Sequence, residues 1–341
     1  MSLDLPLIWA AIIAVAVLLY VMLDGFDLGI GILFPFARSP AERDLMMATV
    51  APVWDGNETW LVLGGGGLFA AFPFAYAALM PALYVPILLM LLALILRGVA
   101  FEFRLRARTR GKRFWTVAFT TGSLTATLAQ GLVLGGFIQG VTLKDGRFAG
   151  GVFDWLTPYT LLVAVGLVAG YALIGACWLI WRTEDELHGR ARRWAWISLV
   201  AVAALLAAVS VATLLVEPRV ALRWGWAHGH FDLGRLTKLS PIPLLGAVGF
   251  GLAALGLLRR AHGWPFAGAI LMFLSGYLGL AAGFFPNIVP YDMDFRQAAN
   301  ADNALGLMLV GVVILLPAII GYSLWVYWIF RGKVGADAGY H

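Results

Sequence analysis

Residues 7–30 form one continuous apolar segment, LIWAAIIAVAVLLYVMLDGFDLGI, whose only charged residues, Asp24 and Asp27, stand near its end. The hydrocarbon core of a bilayer is about 30 Å thick and a helix rises about 1.5 Å per residue, so about 20 apolar residues can cross it. The segment is therefore predicted to be a transmembrane helix. It is not expected to be a signal peptide, because no basic residue precedes the apolar run.

The rest of the chain repeats this pattern. Of its 341 residues, 61% are hydrophobic and 13% are charged, whereas soluble domains average about 25% charged residues. This composition excludes a soluble globular enzyme and a disordered chain, and the unbroken apolar runs exclude a transmembrane β-barrel. Eight further apolar segments are long enough to span a membrane, at 50–74, 79–103, 114–140, 157–181, 194–216, 239–258, 264–285 and 304–330.

The predicted fold is an all-α, polytopic membrane protein of about nine transmembrane helices in a single domain, 1–341. We expect two four-helix bundles, 1–140 and 157–285, and one peripheral helix, 304–330. The connections after odd-numbered segments and the C-terminus hold 16 Lys and Arg residues, and the other connections hold 7. The positive-inside rule then predicts an N-terminus outside and a C-terminus in the cytoplasm. The net charge of +5 is explained by these basic cytoplasmic loops, and no nucleic-acid partner is expected.

Local motifs add detail to this plan. Ser39-Pro40-Ala41-Glu42 predicts a helix start with a capping box, and we expect that helix to run into the second segment with a bend near Pro52. Small residues at close-packing spacing predict tight helix contacts. The pairs are Gly25/Gly29, Gly131/Gly135, Gly136/Gly140, Gly166/Gly170 and Gly279/Gly283.

Ionisable residues lie inside the first three predicted segments and are absent from the interior of the other six. They are Asp24, Asp27, Asp55, Glu58, Arg97 and Glu102. With the predicted orientation, all five acids fall near the cytoplasmic ends of their helices. Each i,i+3 pair shares one helix face, so we expect the carboxylates to meet at one depth. Arg97 is predicted to pair with Asp55 or Glu58.

Such a group of acids predicts proton chemistry. Five carboxylates beside one arginine cannot all be ionised cheaply inside a membrane, so some of them should take up and release protons at cellular pH. A bound cation is a weaker alternative, and a structural role in capping and salt bridging stays open. At the level of the whole protein, the alternative is a proton- or cation-coupled secondary transporter.

The histidines and the cysteine bear on cofactors. All five histidines, among them His228 and His230, fall in predicted loops or at the tail, whereas a transmembrane b-type haem usually needs a histidine inside a span. The single Cys177 cannot form a disulfide within the chain or a CxxC site. We therefore expect neither a haem ligand nor a metal site in this chain.

Three strings carry a resemblance to a known family. They are Asp24-Gly25-Phe26-Asp27-Leu28-Gly29, Ala51-Pro52-Val53-Trp54-Asp55-Gly56-Asn57-Glu58-Thr59-Trp60 and Arg97-Gly98-Val99-Ala100-Phe101-Glu102-Phe103-Arg104. Together they resemble subunit II of the cytochrome bd-type quinol oxidases, and the length is similar to that of the shorter, cyanide-insensitive-type members. Residues 285–290, with the sequence FPNIVP, extend the resemblance more weakly.

The resemblance implies a haem-free subunit of a quinol:oxygen oxidoreductase in the bacterial cytoplasmic membrane, with no catalytic residue of its own. Its partner, subunit I, would carry haems b and d, oxidise quinol and reduce oxygen to water; small single-helix accessory subunits are further partners in the family, and some members hold a structural quinone. Asp27, Asp55 and Glu102 match carboxylates of the cytoplasmic proton route, with Trp54 beside it. Some members have Gln at the position of Glu58, which makes that assignment the least secure.

Overall fold

The protein is described by a computed structural model over residues 3–227 and 230–335, without the side chains of Leu105, Thr109, Ala227 and Phe231. Over these residues the chain is helical apart from short hairpins in the loops. The helices are α1 (Leu5–Leu33), α2 (Pro40–Ala48), α3 (Trp54–Ala71), α4 (Pro73–Ala82), α5 (Tyr84–Arg106), α6 (Thr109–Gln139), α7 (Pro158–Arg182), α8 (Asp185–Val216), α9 (Pro218–Arg223), α10 (Leu233–Leu239), α11 (Pro241–Leu258), α12 (Trp264–Phe284), α13 (Phe295–Ala298) and α14 (Asp302–Ile329). The three antiparallel hairpins pair β1 (Leu143–Lys144) with β2 (Arg147–Phe148), β3 (Trp226–Ala227) with β4 (His230–Phe231), and β5 (Asn287–Val289) with β6 (Met293–Asp294).

Eight of the described helices are long and apolar enough to cross a membrane, and α3 with α4 makes a ninth if this bent pair is counted as one span. The all-α, polytopic architecture is thus confirmed. The predicted segment 50–74 corresponds to α3, Trp54–Ala71, and after it the chain bends by 120° into α4. Phe72, at the bend, has φ −130° and ψ 62°, and Pro73 opens α4. A residue before proline is disfavoured in the helical region, which explains the break.

The helix start at Ser39 is confirmed, since its side chain accepts a hydrogen bond from the backbone N–H of Glu42. The reciprocal half of the capping box does not form, because the Glu42 carboxylate accepts from the backbone N–H of Arg38 instead. The helix also does not run into the second segment: α2 ends at Ala48, and a turn over residues 49–53 separates it from α3.

α1 is the central helix, packed against α3, α6 and α7, while α14 contacts α1 and α3 only lightly. The tightest approach is between α1 and α7, where a Cβ on Gly29 would lie 1.9 Å from the carbonyl oxygen of Tyr171. Gly131 and Gly135 also bring α6 close to α7, where added Cβ atoms would lie 2.3 Å and 2.7 Å from Cα atoms of α7. These contacts join the two predicted bundles. At Gly279 and Gly283 the expected tight contact is not formed.

A separate hydrophobic cluster, here named the apolar cap, fills the space between the start of α1, the bent helix α4 and the start of α14. The indole N–H of Trp9 donates to the carbonyl oxygen of Leu305 at 3.1 Å and ties its two sides together. The buried members of the apolar cap are Trp9, Ile13, Ala71, Phe72, Ala75, Ala78, Leu79, Val289, Phe295, Ala298 and Leu305.

Candidate functional site

Arg97 joins three helices at the end of α1 opposite the apolar cap. From α5, its Nη1 donates to Oδ1 of Asp24 on α1 at 2.6 Å, and its Nη2 donates to Oε2 of Glu58 on α3 at 2.8 Å. The side chains of Arg97 and Asp24 are 2% and 1% exposed, and that of Glu58 is 27% exposed. A planar guanidinium suits this task, because its fixed fork can hold two carboxylates at once. The predicted pairing of Arg97 is confirmed for Glu58, but its second partner is Asp24 and not Asp55.

Asp27 lies one turn beyond Asp24 on α1 and is also buried. Its Oδ2 accepts a hydrogen bond from Nδ2 of Asn57 at 2.8 Å, and the amide oxygen of Asn57 accepts from the hydroxyl of Tyr327 at 2.7 Å. Among the described residues, Asp27 has no ion-pair partner. The other carboxylate oxygens of Asp27 and Asp24 are buried without a hydrogen-bond partner in the described part of the chain. We call Asp24, Asp27, Asn57, Glu58 and Arg97 the acid cluster.

A second set of buried polar groups begins one turn before Asp24. Gln130 of α6 donates from Nε2 to the hydroxyl of Tyr20 at 2.6 Å, and its Oε1 accepts from the hydroxyl of Tyr171 on α7 at 2.8 Å. Polar groups that are buried and mutually satisfied in this way hold helices in one arrangement. The polar interior at this end of the molecule thus continues from α1 into α6 and α7.

Asp55 and Glu102 do not enter the acid cluster, since both are exposed on the surface of this chain. Trp54 lies beside them, half-buried, with its ring stacked on that of Phe101 at 5.2 Å between centroids. Of the five acids expected at one depth, the structure therefore brings Asp24, Asp27 and Glu58 together around one arginine. The remaining two lie on the outside of the same helices.

Two basic side chains form ion pairs with Asp44 at this end of the molecule. Arg104, which is buried, donates to Asp44 of α2 at 2.6 Å, and Lys112 donates to the other oxygen of Asp44 at 2.9 Å. Partial burial raises the pKa of Asp44, but the hydrogen bonds from Lys112 and Arg104 outweigh it and hold the pKa below the ordinary value of 3.8.

The described histidines lie away from the helix interiors, with His188 in the first turn of α8, His230 in β4 and His262 before α12. His228 and His341 lie outside the described residues. No group of three or more His, Cys, Asp or Glu side chains within residues 3–227 and 230–335 is arranged to hold a metal ion.

Sequence reasoning missed the uncharged members of the site. Asn57 is part of one of the quoted strings. Whether it faces Asp27 depends on how α3 is rotated about its own axis, which the spacing of the charged residues does not reveal. Gln130 gave the clearest signal, because an amide in the middle of an apolar segment needs partners. Tyr327 gives no such signal, because a tyrosine near the end of an apolar segment is also typical of the aromatic belt at a membrane surface; its hydroxyl reaches Asn57.

Comparison with known proteins gives consistent results. The family described as "Cytochrome bd terminal oxidase subunit II" matches residues 5–330. The chain is 30% identical over 342 residues to "Cytochrome bd ubiquinol oxidase subunit 2" of Bacillus subtilis, covering 96% of both chains. It is 29% identical over 361 residues to "Cytochrome bd-I ubiquinol oxidase subunit 2" of Escherichia coli, covering 97% of this chain and 95% of that one.

A solved structure shares the fold. One chain of the bd oxidase from Geobacillus thermodenitrificans superposes with a TM-score of 0.73 at 17% sequence identity, covering 97% of this chain and 100% of that one.

Proposed function

The chain belongs to the cytochrome bd terminal oxidase subunit II family, and from that premise we propose that it conducts cytoplasmic protons through its acid cluster toward the oxygen-reduction site. It is a subunit of a quinol oxidase complex, a multi-pass protein of the bacterial inner membrane, and catalysis is carried out by the complex. We further propose that it is haem-free and that a partner, subunit I, carries haems b and d. The positions of the described histidines support this division of labour.

One observation carries the proton proposal. Asp27 is a buried carboxylate with no ion-pair partner among the described residues and with one oxygen that accepts no hydrogen bond there, while the nearby Arg97 is already shared by Asp24 and Glu58. Three acids and one arginine leave two negative charges uncompensated when every group is ionised. Because uncompensated buried charge is costly, the cluster favours holding a proton.

The free oxygen of Asp27 is the atom we propose for that proton. Asn57 cannot replace it as a carrier, because a neutral amide neither gains nor loses a proton at cellular pH; its amide nitrogen donates to the other oxygen of Asp27. Asn57 and Tyr327 instead fix the orientation of the carboxylate. The partly exposed Glu58 links the buried groups to the surface, where Asp55 and Glu102 would collect protons beside Trp54.

The transporter alternative predicts an acid cluster near the middle of the membrane on broken helices. The cluster lies toward one end of α1 instead. Glu58 is on α3, one half of the bent pair, but it stands 14 residues before the bend at Phe72, and the relatives named above are oxidase subunits. Both points favour the oxidase interpretation.

The test is oxygen consumption by the assembled complex carrying Asp27→Asn. Asparagine has the same shape and can still accept from Asn57, but it cannot carry a proton, so turnover should fall about tenfold or more while haem content and complex yield stay unchanged. Asp55→Asn should lower turnover in the same way at the surface. Asp302→Asn is the matched control, because Asp302 is an exposed acid in the first turn of α14, at the end of that helix opposite to Tyr327. Full turnover of an assembled Asp27→Asn complex would exclude the proposed route, and a loss of assembly alone would indicate a structural role.

A further inference from the structure

A small pocket lies where α7 and α14 end beside the turn before α3. Its volume is about 100 Å³, which is enough for several water molecules. Two arginines and four aromatic rings contribute to its wall, and none of its lining residues is acidic. The lining residues are Thr49, Pro52, Val53, Trp178, Trp181, Arg182, Tyr327, Phe330 and Arg331.

Arg182 is the unusual member of this wall. Its side chain is 5% exposed, and its Nε is buried without a hydrogen-bond partner in the described part of the chain. Its guanidinium lies 5.3 Å from the centre of the Trp178 ring, and no carboxylate among the described residues pairs with it. The other two buried arginines of this part of the chain are both paired, Arg97 with Asp24 and Glu58, and Arg104 with Asp44.

An unpaired buried arginine needs an anion. Arginine keeps its proton in proteins, and removing its charge from water without a counter-charge is costly. A cation–π contact with one tryptophan returns only part of that cost. Arg331, whose guanidinium stacks on Trp328 at the pocket rim, adds a second positive charge. The pocket is therefore built for a negative group from outside the chain.

The surroundings indicate where that group comes from. Trp181 and Phe330 are about half exposed beside the arginines, and the pocket lies at the ends of two spanning helices, the depth at which aromatic belts meet lipid headgroups. The cavity has room for a phosphate group, while the acyl chains of a lipid would lie along the exposed apolar side chains of α14. We propose that this pocket binds the phosphate group of an anionic membrane phospholipid, with Arg182 as its buried ligand and Arg331 as its rim ligand.

The test uses the purified oxidase complex, stripped of lipid in detergent and titrated with phosphatidylglycerol while bound lipid is counted by native mass spectrometry. Arg182→Gln should weaken the tightest phosphatidylglycerol site about tenfold, because one charged hydrogen-bonding group is removed. Arg331→Gln should weaken it less. Arg193→Gln, which removes an exposed charge at the start of α8, should leave it unchanged, and zwitterionic phosphatidylcholine should bind more weakly than phosphatidylglycerol.

Three outcomes would overturn the proposal. One is equal phosphatidylglycerol affinity in all variants. Another is an Arg182-dependent site for inorganic phosphate alone, which would make the source free phosphate. The third is a partner carboxylate on Arg182 in a structure of the complex. If Arg182→Gln does not assemble, Arg331→Gln decides, because Arg331 is exposed and its replacement leaves the fold intact.

Discussion

The helices of residues 5–139, the first half, and those of residues 158–284, the second half, both make close helix contacts, but through different side chains. In the first half, α1, α3 and α5 are joined through Arg97 and the carboxylates of Asp24 and Glu58. In the second half, residues 158–181, 194–216, 241–258 and 264–284 contain no acidic or basic side chain. There, glycines bring helices together, as where a Cβ on Gly249 of α11 would lie 2.7 Å from the carbonyl oxygen of Gly268 on α12.

The second half shows that spanning helices of this fold can pack without charge in their interiors, since its buried arginine, Arg182, lies at the very end of α7. Buried ion pairs rarely improve stability over well-packed apolar residues of similar size. The charges of the first half are therefore better explained by function than by architecture. The following predictions test that difference, beginning with the largest expected effect.

Arg97→Gln should destabilise the first half severely. The change leaves Asp24 buried without its cation, and breaking a buried pair on one side costs about 3–5 kcal/mol. The melting temperature and yield of the assembled complex measure this, with the exposed Arg110→Gln as control. Adding Asp24→Asn to Arg97→Gln should restore part of the loss, because the uncompensated charge is then removed. A complex with Arg97→Gln that melts like the wild type would contradict the role of Arg97 as the cluster's counter-charge.

Gly29→Ala tests the contact between α1 and α7, where the two halves meet. The new methyl group would collide with the backbone of Tyr171, which a helix can relieve only by moving, at a cost of about 1–3 kcal/mol. Gly166→Ala on α7 is the matched control, because a Cβ there meets nothing nearer than 3.8 Å. Thermal unfolding should show a clear loss for the first variant and none for the second. Equal melting temperatures would mean that the α1–α7 contact is looser than described.

Asp44→Asn should have the smallest effect. Asp44 is partly exposed, and such pairs contribute about 1 kcal/mol or less. Its pKa lies below 3.8, so the stabilisation by its charged form is complete above that value and is lost only as the pH falls through the lower folded-state pKa. The difference in melting temperature between wild type and Asp44→Asn should therefore stay constant between about pH 5 and 8. A gap that closes toward the acidic end of this range would contradict the assigned pairing.

The architecture was accessible from the sequence because bilayer thickness fixes helix length and apolar composition marks each span. Pro73, near the end of the predicted segment 50–74, signals a helix break at Phe72, but it does not set the angle. Packing of α4 against β2, β5 and α13 accompanies the 120° bend, and those contacts are long-range.

The charged part of the site was predictable for a similar reason, since acids inside spans are costly and rare. Their distribution between interior and surface was not. Asp55 and Glu58 are separated by one turn of α3, yet one is exposed and the other reaches Arg97. Tyr327 contacts Asn57 from a helix 270 residues further along the chain, a distance over which no local pattern carries information.

The apolar cap has an electrical consequence. Along α1, Asp24 stands eleven residues after Ile13, the last member of the cap on this helix, which is about 16 Å at helical rise. Over this distance α1 presents mainly apolar side chains to the interior, and α4, which turns away from α3 at the bend, adds more. A straight continuation of α3 would have reached the headgroup region instead. A protein that delivers protons across part of a charged membrane must also prevent their leakage across the rest. If the acid cluster conducts protons as proposed, the apolar cap would be the electrical insulation on its far side, because its side chains carry no group that could pass a proton on.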